Sequence, residues 1–182
     1  ITNAPKVVKK TDAILTRNKE IADKGFSPSS LTNYIRNPID FYYEKILKIA
    51  SFEEVEETVA ANTLGSVIHQ TLEDFYKPLI NKVLMKIHLE QMLANIDKTV
   101  TQHFKTLYKE GDMSKGKNLI IFEITKRYVH NFIKKELECV EAGDQIKIIS
   151  LEKEVNTTLL IPELNFPVRL KGTVDRIDEC NG

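Results

Sequence analysis

The sequence predicts an α+β domain, with a helical N-terminal part followed by an antiparallel β-hairpin that begins a larger, truncated sheet. Three observations predict it. Apolar residues recur at helical spacing over much of residues 12–141. The period switches to two after Ala142-Gly143-Asp144. Two alternating runs, Gln145 to Asn156 and Val168 to Asp178, flank the turn signal Pro162-Glu163-Leu164-Asn165. Helices first and strands afterwards is the order of an α+β fold.

The elements follow in chain order. Residues 1–10 read as a polar, basic, extended lead-in. Thr11 or Asp12 caps a helix to about Lys24, and Gly25 stops it. In Phe26-Ser27-Pro28-Ser29-Ser30-Leu31, Ser27 is an N-cap, Pro28 fits the first helical position and Phe26 can act as a hydrophobic staple. That helix halts before Asn37-Pro38. Pro38 opens another, whose triplet Phe41-Tyr42-Tyr43 is expected to pack into the core. Residues 50–58 are acidic and read as a solvated linker or first turn. Leu64, Ile68, Leu72, Phe75 and Leu79 then form one helical stripe. Beside it stands His69, one turn after Gly65, whose missing Cβ leaves a notch.

A long amphipathic helix is predicted over 84–110, where His88 and His103 read as structural or exposed. A loop follows at 114–118 and a further helix over about 119–141, carrying Ile120, Ile121, Ile124, Tyr128, Phe132, Ile133 and Leu137. In the last run, Val168, Leu170, Gly172 and Val174 alternate with Arg169, Lys171, Thr173 and Asp175. Period two sets Asp175 on the face of Thr173 and Ile177 and sends Asp178 to the other face. The turn-like Glu179-Cys180-Asn181-Gly182 asks for a returning strand. The chain is therefore expected to be a piece of a longer protein, cut inside a domain, with a lead-in over 1–25 and the domain fragment over 26–182.

Composition bounds the function without fixing it. The 182 residues are 42% hydrophobic, enough for one domain with a core. With 26 basic and 26 acidic residues the formal net charge is zero, so no global field draws nucleic acid, although a local basic groove remains open. Lys115, Lys117, Lys126 and Arg127 are the candidates for phosphate contacts, against the plainer reading of a solvated helix face. Cys139 and Cys180 make neither a disulfide framework nor a zinc pattern, and a reduced, cytoplasmic setting is the expectation. No apolar run approaches the roughly 18 residues that span a bilayer.

Four blocks resemble the RecB/AddB-type branch of the PD-(D/E)xK nucleases. Phe26-Ser27-Pro28-Ser29-Ser30-Leu31-Thr32-Asn33-Tyr34 is similar to that domain's Ser-x-Ser-x-Leu-x-x-Tyr opening. Asn37-Pro38-Ile39-Asp40-Phe41-Tyr42-Tyr43 resembles its Cys-Pro-x-x-Phe block. Gly65-Ser66-Val67-Ile68-His69-Gln70-Thr71-Leu72-Glu73 looks like its Gly-x-x-x-His-x-x-Leu-Glu helix. Gly172-Thr173-Val174-Asp175-Arg176-Ile177-Asp178 matches its Gly-x-x-Asp-Arg-Ile-Asp strand.

The resemblance implies a restriction-endonuclease-like sheet and a magnesium- or manganese-dependent deoxyribonuclease. It further implies an exonuclease tied to a helicase or helicase-like partner in DNA recombination or repair. It makes Asp175 and His69 the catalytic metal ligands, with Glu152 a looser third, and gives Gly172 a close-packing role on its strand. A hard divalent ion suits this set, because carboxylate oxygen and one imidazole leave positions open for water and phosphate.

Two departures shape the expectations. The (Asp/Glu)-x-Lys half of the signature does not follow Asp175 here, so the isolated chain is expected to be inactive. Where iron–sulfur members place a cysteine before the proline, this chain has Asn37, so no iron–sulfur cluster is expected. Two other readings of the residues stay open: a catalytically inactive nuclease fold kept for DNA binding or scaffolding, and a helical protein-interaction domain. For His69 alone the plain alternative is a core-edge histidine bonded to a backbone carbonyl.

Overall fold

The computed structural model describes residues 7–49, 61–108 and 115–182. Among the described residues, six α-helices precede a two-stranded antiparallel sheet. They are α1 (Asp12–Lys24), α2 (Pro28–Arg36), α3 (Pro38–Phe41), α4 (Ala61–Tyr76), α5 (Lys86–Leu107) and α6 (Gly116–Glu141). The strands are β1 (Ile146–Leu159) and β2 (Val168–Cys180). The chain divides into two compact units, Ile1–Glu54 with Glu154–Thr173, and Val55–Lys153 with Val174–Gly182, so the division falls across the hairpin.

In the first unit most of the local signals act as the sequence predicts. Thr11 precedes α1 without the side-chain cap expected of it or of Asp12, which is already the first helical residue, and Gly25 ends the helix at φ +99°. A side chain at Gly25 would also meet the Lys171 stem at 3.0 Å, so both backbone and space call for glycine. Ser27 Oγ accepts the Ser30 N–H at 3.1 Å, and Pro28 occupies the first turn of α2. Phe26, expected as a staple, pairs with a strand. It bridges β2 as a one-residue parallel strand, donating its N–H to Arg169 O and accepting from the Lys171 N–H, both at 2.9 Å.

Asn37 caps α3 through its side-chain oxygen, which accepts the Ile39 N–H at 3.1 Å. The aromatic triplet corrects an expectation, because only Phe41 is buried, edge-on to Tyr34 at 5.3 Å. After Phe41 the backbone widens into a π-helix over Tyr42–Ile46, which turns Tyr43 outward. Gly172 is a further correction. A Cβ there would lie 3.6 Å from the Pro28 ring, an ordinary contact, so close packing does not require glycine.

The second unit holds the larger core. Leu89, Met92, Ile96, Val100 and Phe104 line one face of α5, at steps of three and four residues. Val129 and Ile133 of α6 and Val67 and Tyr76 of α4 meet them, and Ile146 and Ile148 of β1 belong to the same cluster. Residues 81–84 edge β1: the Leu84 N–H donates to Ile146 O at 2.7 Å and the Ile148 N–H to Lys82 O at 3.1 Å.

Several boundaries and faces differ from the sequence reading. Helix α6 begins at Gly116, inside the stretch expected to be a loop. Its buried row is Thr125, Val129 and Ile133, whereas Ile120, Ile124, Tyr128 and Phe132 are exposed. The helix is apolar on more than one face, and packing chose between them. Glu179 and Cys180 belong to β2, not to a turn. The acidic stretch at 50–58, the lead-in before Val7 and the end of the predicted 84–110 helix lie partly or wholly outside the described residues.

Candidate metal centre

The second unit carries a cleft of about 410 Å³ whose acidic end is built by α4, β1 and β2. On α4, Val67 and Thr71 face the core with no exposure, which fixes the helix's rotation. That rotation leaves His69 at the cleft, half-buried, with Glu73 four residues on along the same side. The space over Gly65 is open: among the described residues, nothing beyond its own helix backbone comes within 4 Å of where a Cβ would stand.

Glu152 enters from β1. Its backbone lies at φ +48°, a left-handed conformation in the middle of a strand. Such a conformation strains any residue with a Cβ and re-aims the side chain. The carboxylate meets the His69 imidazole, with Oε1 2.8 Å from Nε2. Asp175 reaches the same ring from β2, with Oδ2 3.7 Å from Nδ1 and a side chain 76% exposed. The imidazole therefore sits between two carboxylates, one at each ring nitrogen.

The residues predicted from sequence are thus brought together: His69, Glu152 and Asp175 share one cleft. Asp178 is elsewhere, its Oδ1 accepting a hydrogen bond from Arg176 Nε at 2.8 Å. Glu73 is the residue that sequence reasoning left unassigned. One donor atom from each of His69, Glu73 and Glu152 lies within 4.8 Å of the others. The signal for it was present, since an i, i+4 pair on a helix shares a face.

The imidazole of His69 and the carboxylates of Glu73 and Glu152 form a donor set that fits a hard divalent ion, in which oxygen predominates and no thiolate competes, while Asp175 stands at the ring's other nitrogen. Cys139 and Cys180 are both free thiols, and the position before Pro38 is taken by the capping Asn37. The four basic candidates for phosphate contacts do not line the cleft. Lys126 is held by Asp97 at 3.1 Å and Glu123 at 2.7 Å. The hydrogen bond to Glu123 is the main cause of its raised pKa, and with the contacts to Asp97 it outweighs the opposing effect of burial. Lys115 stands just before α6, and Lys117 and Arg127 are exposed along it.

Behind the acidic end lies a largely buried cation, Arg176. Arg176 Nη2 contacts Glu136 Oε1 of α6 at 2.6 Å, and the guanidinium carbon lies 4.2 Å from the centre of the Tyr76 ring. The Tyr76 hydroxyl donates to the other oxygen of Glu136. Burial opposes the charge on Arg176, but its bonds to Asp178 and Glu136 outweigh that and hold its pKa above the ordinary value. Burial, then the adjacent Glu136 carboxylate, raise the Tyr76 pKa far above its usual value.

The family model for the PD-(D/E)XK nuclease superfamily matches residues 25–182. The chain belongs to the PD-(D/E)XK nuclease superfamily. The match takes in all four signature-like blocks and every residue of the cleft. Members generally use magnesium or manganese, in keeping with the donor set found here.

Curated relatives are uncharacterized proteins of Rickettsia. One from Rickettsia bellii is 28% identical over 139 residues, covering 71% of this chain and 16% of the relative. One from Rickettsia typhi is 24% identical over 169 residues, covering 86% of this chain and 20% of the relative. One from Rickettsia felis is 26% identical over 142 residues, covering 71% of this chain and 16% of the relative. The chain thus spans at most a fifth of the length of these relatives. No solved structure matches it. Among the described residues no helix is long and apolar enough to cross a membrane.

Proposed function

We propose that this PD-(D/E)XK domain supplies the metal-binding part of a magnesium- or manganese-dependent deoxyribonuclease. We take it to be an exonuclease that works with a helicase or helicase-like module in DNA recombination or repair. The observation that carries the reading is the convergence of His69, Glu152 and Asp175, from a helix and two strands, on one cleft. A divalent ion, when bound, lowers the pKa of its water and offsets charge on the phosphate. The chain's own part is to hold that ion with His69, Glu152 and Asp175, and to turn the site's negative charge toward it. Those carboxylates repel a bare phosphodiester, so substrate approach depends on the ion. Lys117 and Arg127 are the basic groups proposed to meet the DNA backbone.

In this reading a further acid and a lysine complete the site, and the lysine orients or deprotonates the attacking water.

Manganese titration calorimetry on this chain is the first test. Wild type should bind, and His69→Ala and Asp175→Ala should each weaken binding at least about tenfold, the loss of one good ligand, with little change in melting temperature. Unchanged affinity in both variants would remove the metal centre. In the longer protein, magnesium-dependent cutting of single- or double-stranded DNA should vanish with either variant. Cutting that survives both overturns the nuclease assignment. Metal binding without cutting would make it an inactive nuclease-fold module.

A further inference from the structure

We propose that Arg176 is a positioning residue that sets the gap between Asp175 and His69. This rests on the metal-centre reading above but concerns a residue that takes no part in ligation there. Asp175 is the most exposed group of the site, with a side chain 76% exposed, and its carboxylate faces the half-buried His69 ring at 3.7 Å. Its neighbour Arg176 is the opposite, with a side chain only 14% exposed. That side chain clasps β2 to both helices behind the cleft. Its Nη2 pairs with Glu136 of α6, and its planar face covers the ring of Tyr76 of α4. Tyr76 closes the loop by donating to the same Glu136.

The clasp matters because of what α4 carries. Tyr76 lies two turns after His69 and three residues after Glu73 on the same helix. Fixing Tyr76 against Arg176 therefore fixes the helix that bears the imidazole against the strand that bears Asp175. The 3.7 Å separation of His69 Nδ1 from Asp175 Oδ2 is the quantity this clasp controls. Asp178 adds a second restraint, accepting from Arg176 Nε at 2.8 Å. Nη1 and Nη2 are both buried without a well-angled hydrogen bond among the described residues, so Nη2 meets Glu136 as a close ion pair at 2.6 Å, and the ring faces of Tyr76 and Phe132 supply further compensation.

This geometry needs arginine. A lysine ammonium is a single point donor and cannot serve Glu136, Asp178 and a flat stacking contact at once. Lysine keeps the charge and most of the length, so Arg176→Lys tests position in preference to charge.

The experiment compares wild type, Arg176→Lys, Asp175→Asn and the double variant as the complete chain. It reads manganese affinity by calorimetry, the His69 ring resonances in metal-free protein, and the melting temperature. Arg176→Lys should weaken manganese binding about tenfold, the usual effect of losing a residue that orients ligands, and should move the His69 ring resonances. In the Asp175→Asn background it should change affinity less than about twofold, because the residue it positions is already disabled. Wild-type affinity and unshifted His69 resonances in Arg176→Lys overturn the proposal. So does an equal loss in both backgrounds, which would mean a general structural or charge effect.

If Arg176→Lys does not fold, Glu136→Gln breaks the same clasp from α6 and is judged by the same outcomes. If wild type binds no manganese, the metal reading fails by itself. The His69 resonances then decide on Arg176 alone: a shift upholds its positioning role, and no shift ends it.

Discussion

Glu152 combines a ligand-bearing side chain with an unfavourable backbone, and replacing it by glycine or alanine separates the two. At φ +48° a residue with a Cβ costs about 1–2 kcal/mol relative to glycine. Glycine gives back about 0.5–1 kcal/mol through its freer unfolded chain. Glu152→Gly should therefore be more stable than Glu152→Ala by about 0.5–1 kcal/mol. Both lose the pair with His69, whose partners are each 37% exposed. A pair that open to solvent contributes at most about 1 kcal/mol, and it cancels in the comparison.

In a chain of this size the difference corresponds to about 1–4 °C in melting temperature. Urea denaturation of the two variants, with equal slopes, measures it. Both should bind manganese more weakly than wild type by the same factor. If Glu152→Ala is as stable as Glu152→Gly, the strand is not strained at this point, and the idea that the backbone is bent to aim this carboxylate is refuted.

Two further outcomes test the frame around the site. Phe104 is fully buried and meets Phe122 edge-on at 5.3 Å, so Phe104→Ala should cost about 3–5 kcal/mol in denaturant unfolding. A loss below 1 kcal/mol would mean that α5 and α6 are not packed as described. Tyr76 has its pKa raised in the folded chain above the usual value of 10.0. Its contribution is fully present below pH 10 and is lost as pH rises further, because the unfolded phenol ionises while the folded one resists. Tyr76→Phe should therefore flatten the fall in stability above that pH, and an unchanged slope against wild type would contradict the buried Tyr76–Glu136 contact.

Local rules made much of this chain legible from its residues. Gly25 ends α1, Ser27 and Pro28 open α2, and Pro38 opens α3, because each depends on groups within a few positions. The switch from helical to strand period after Gly143, and the pairing of the two strands, were likewise written in alternation and turn chemistry. So was the placing of Asp175 and Asp178 on different business: period two separates them, and Asp178 serves Arg176.

Only the tertiary structure decided what these residues do together. Helix α6 is apolar on several faces, and nothing local says that Val129 and Ile133 go inside while Tyr128 and Phe132 do not. The rotation of α4 depends on Val67 and Thr71 meeting α5 and α6, and that rotation is what brings Glu73 beside His69. The left-handed backbone at Glu152 breaks the strand rule that sequence reading relies on. Arg176 looks like any charged strand residue until Glu136 and Tyr76, 40 and 100 positions away in the chain, close over it. Periodicity is set by neighbours in sequence, whereas a binding site is set by long-range packing that no short window contains.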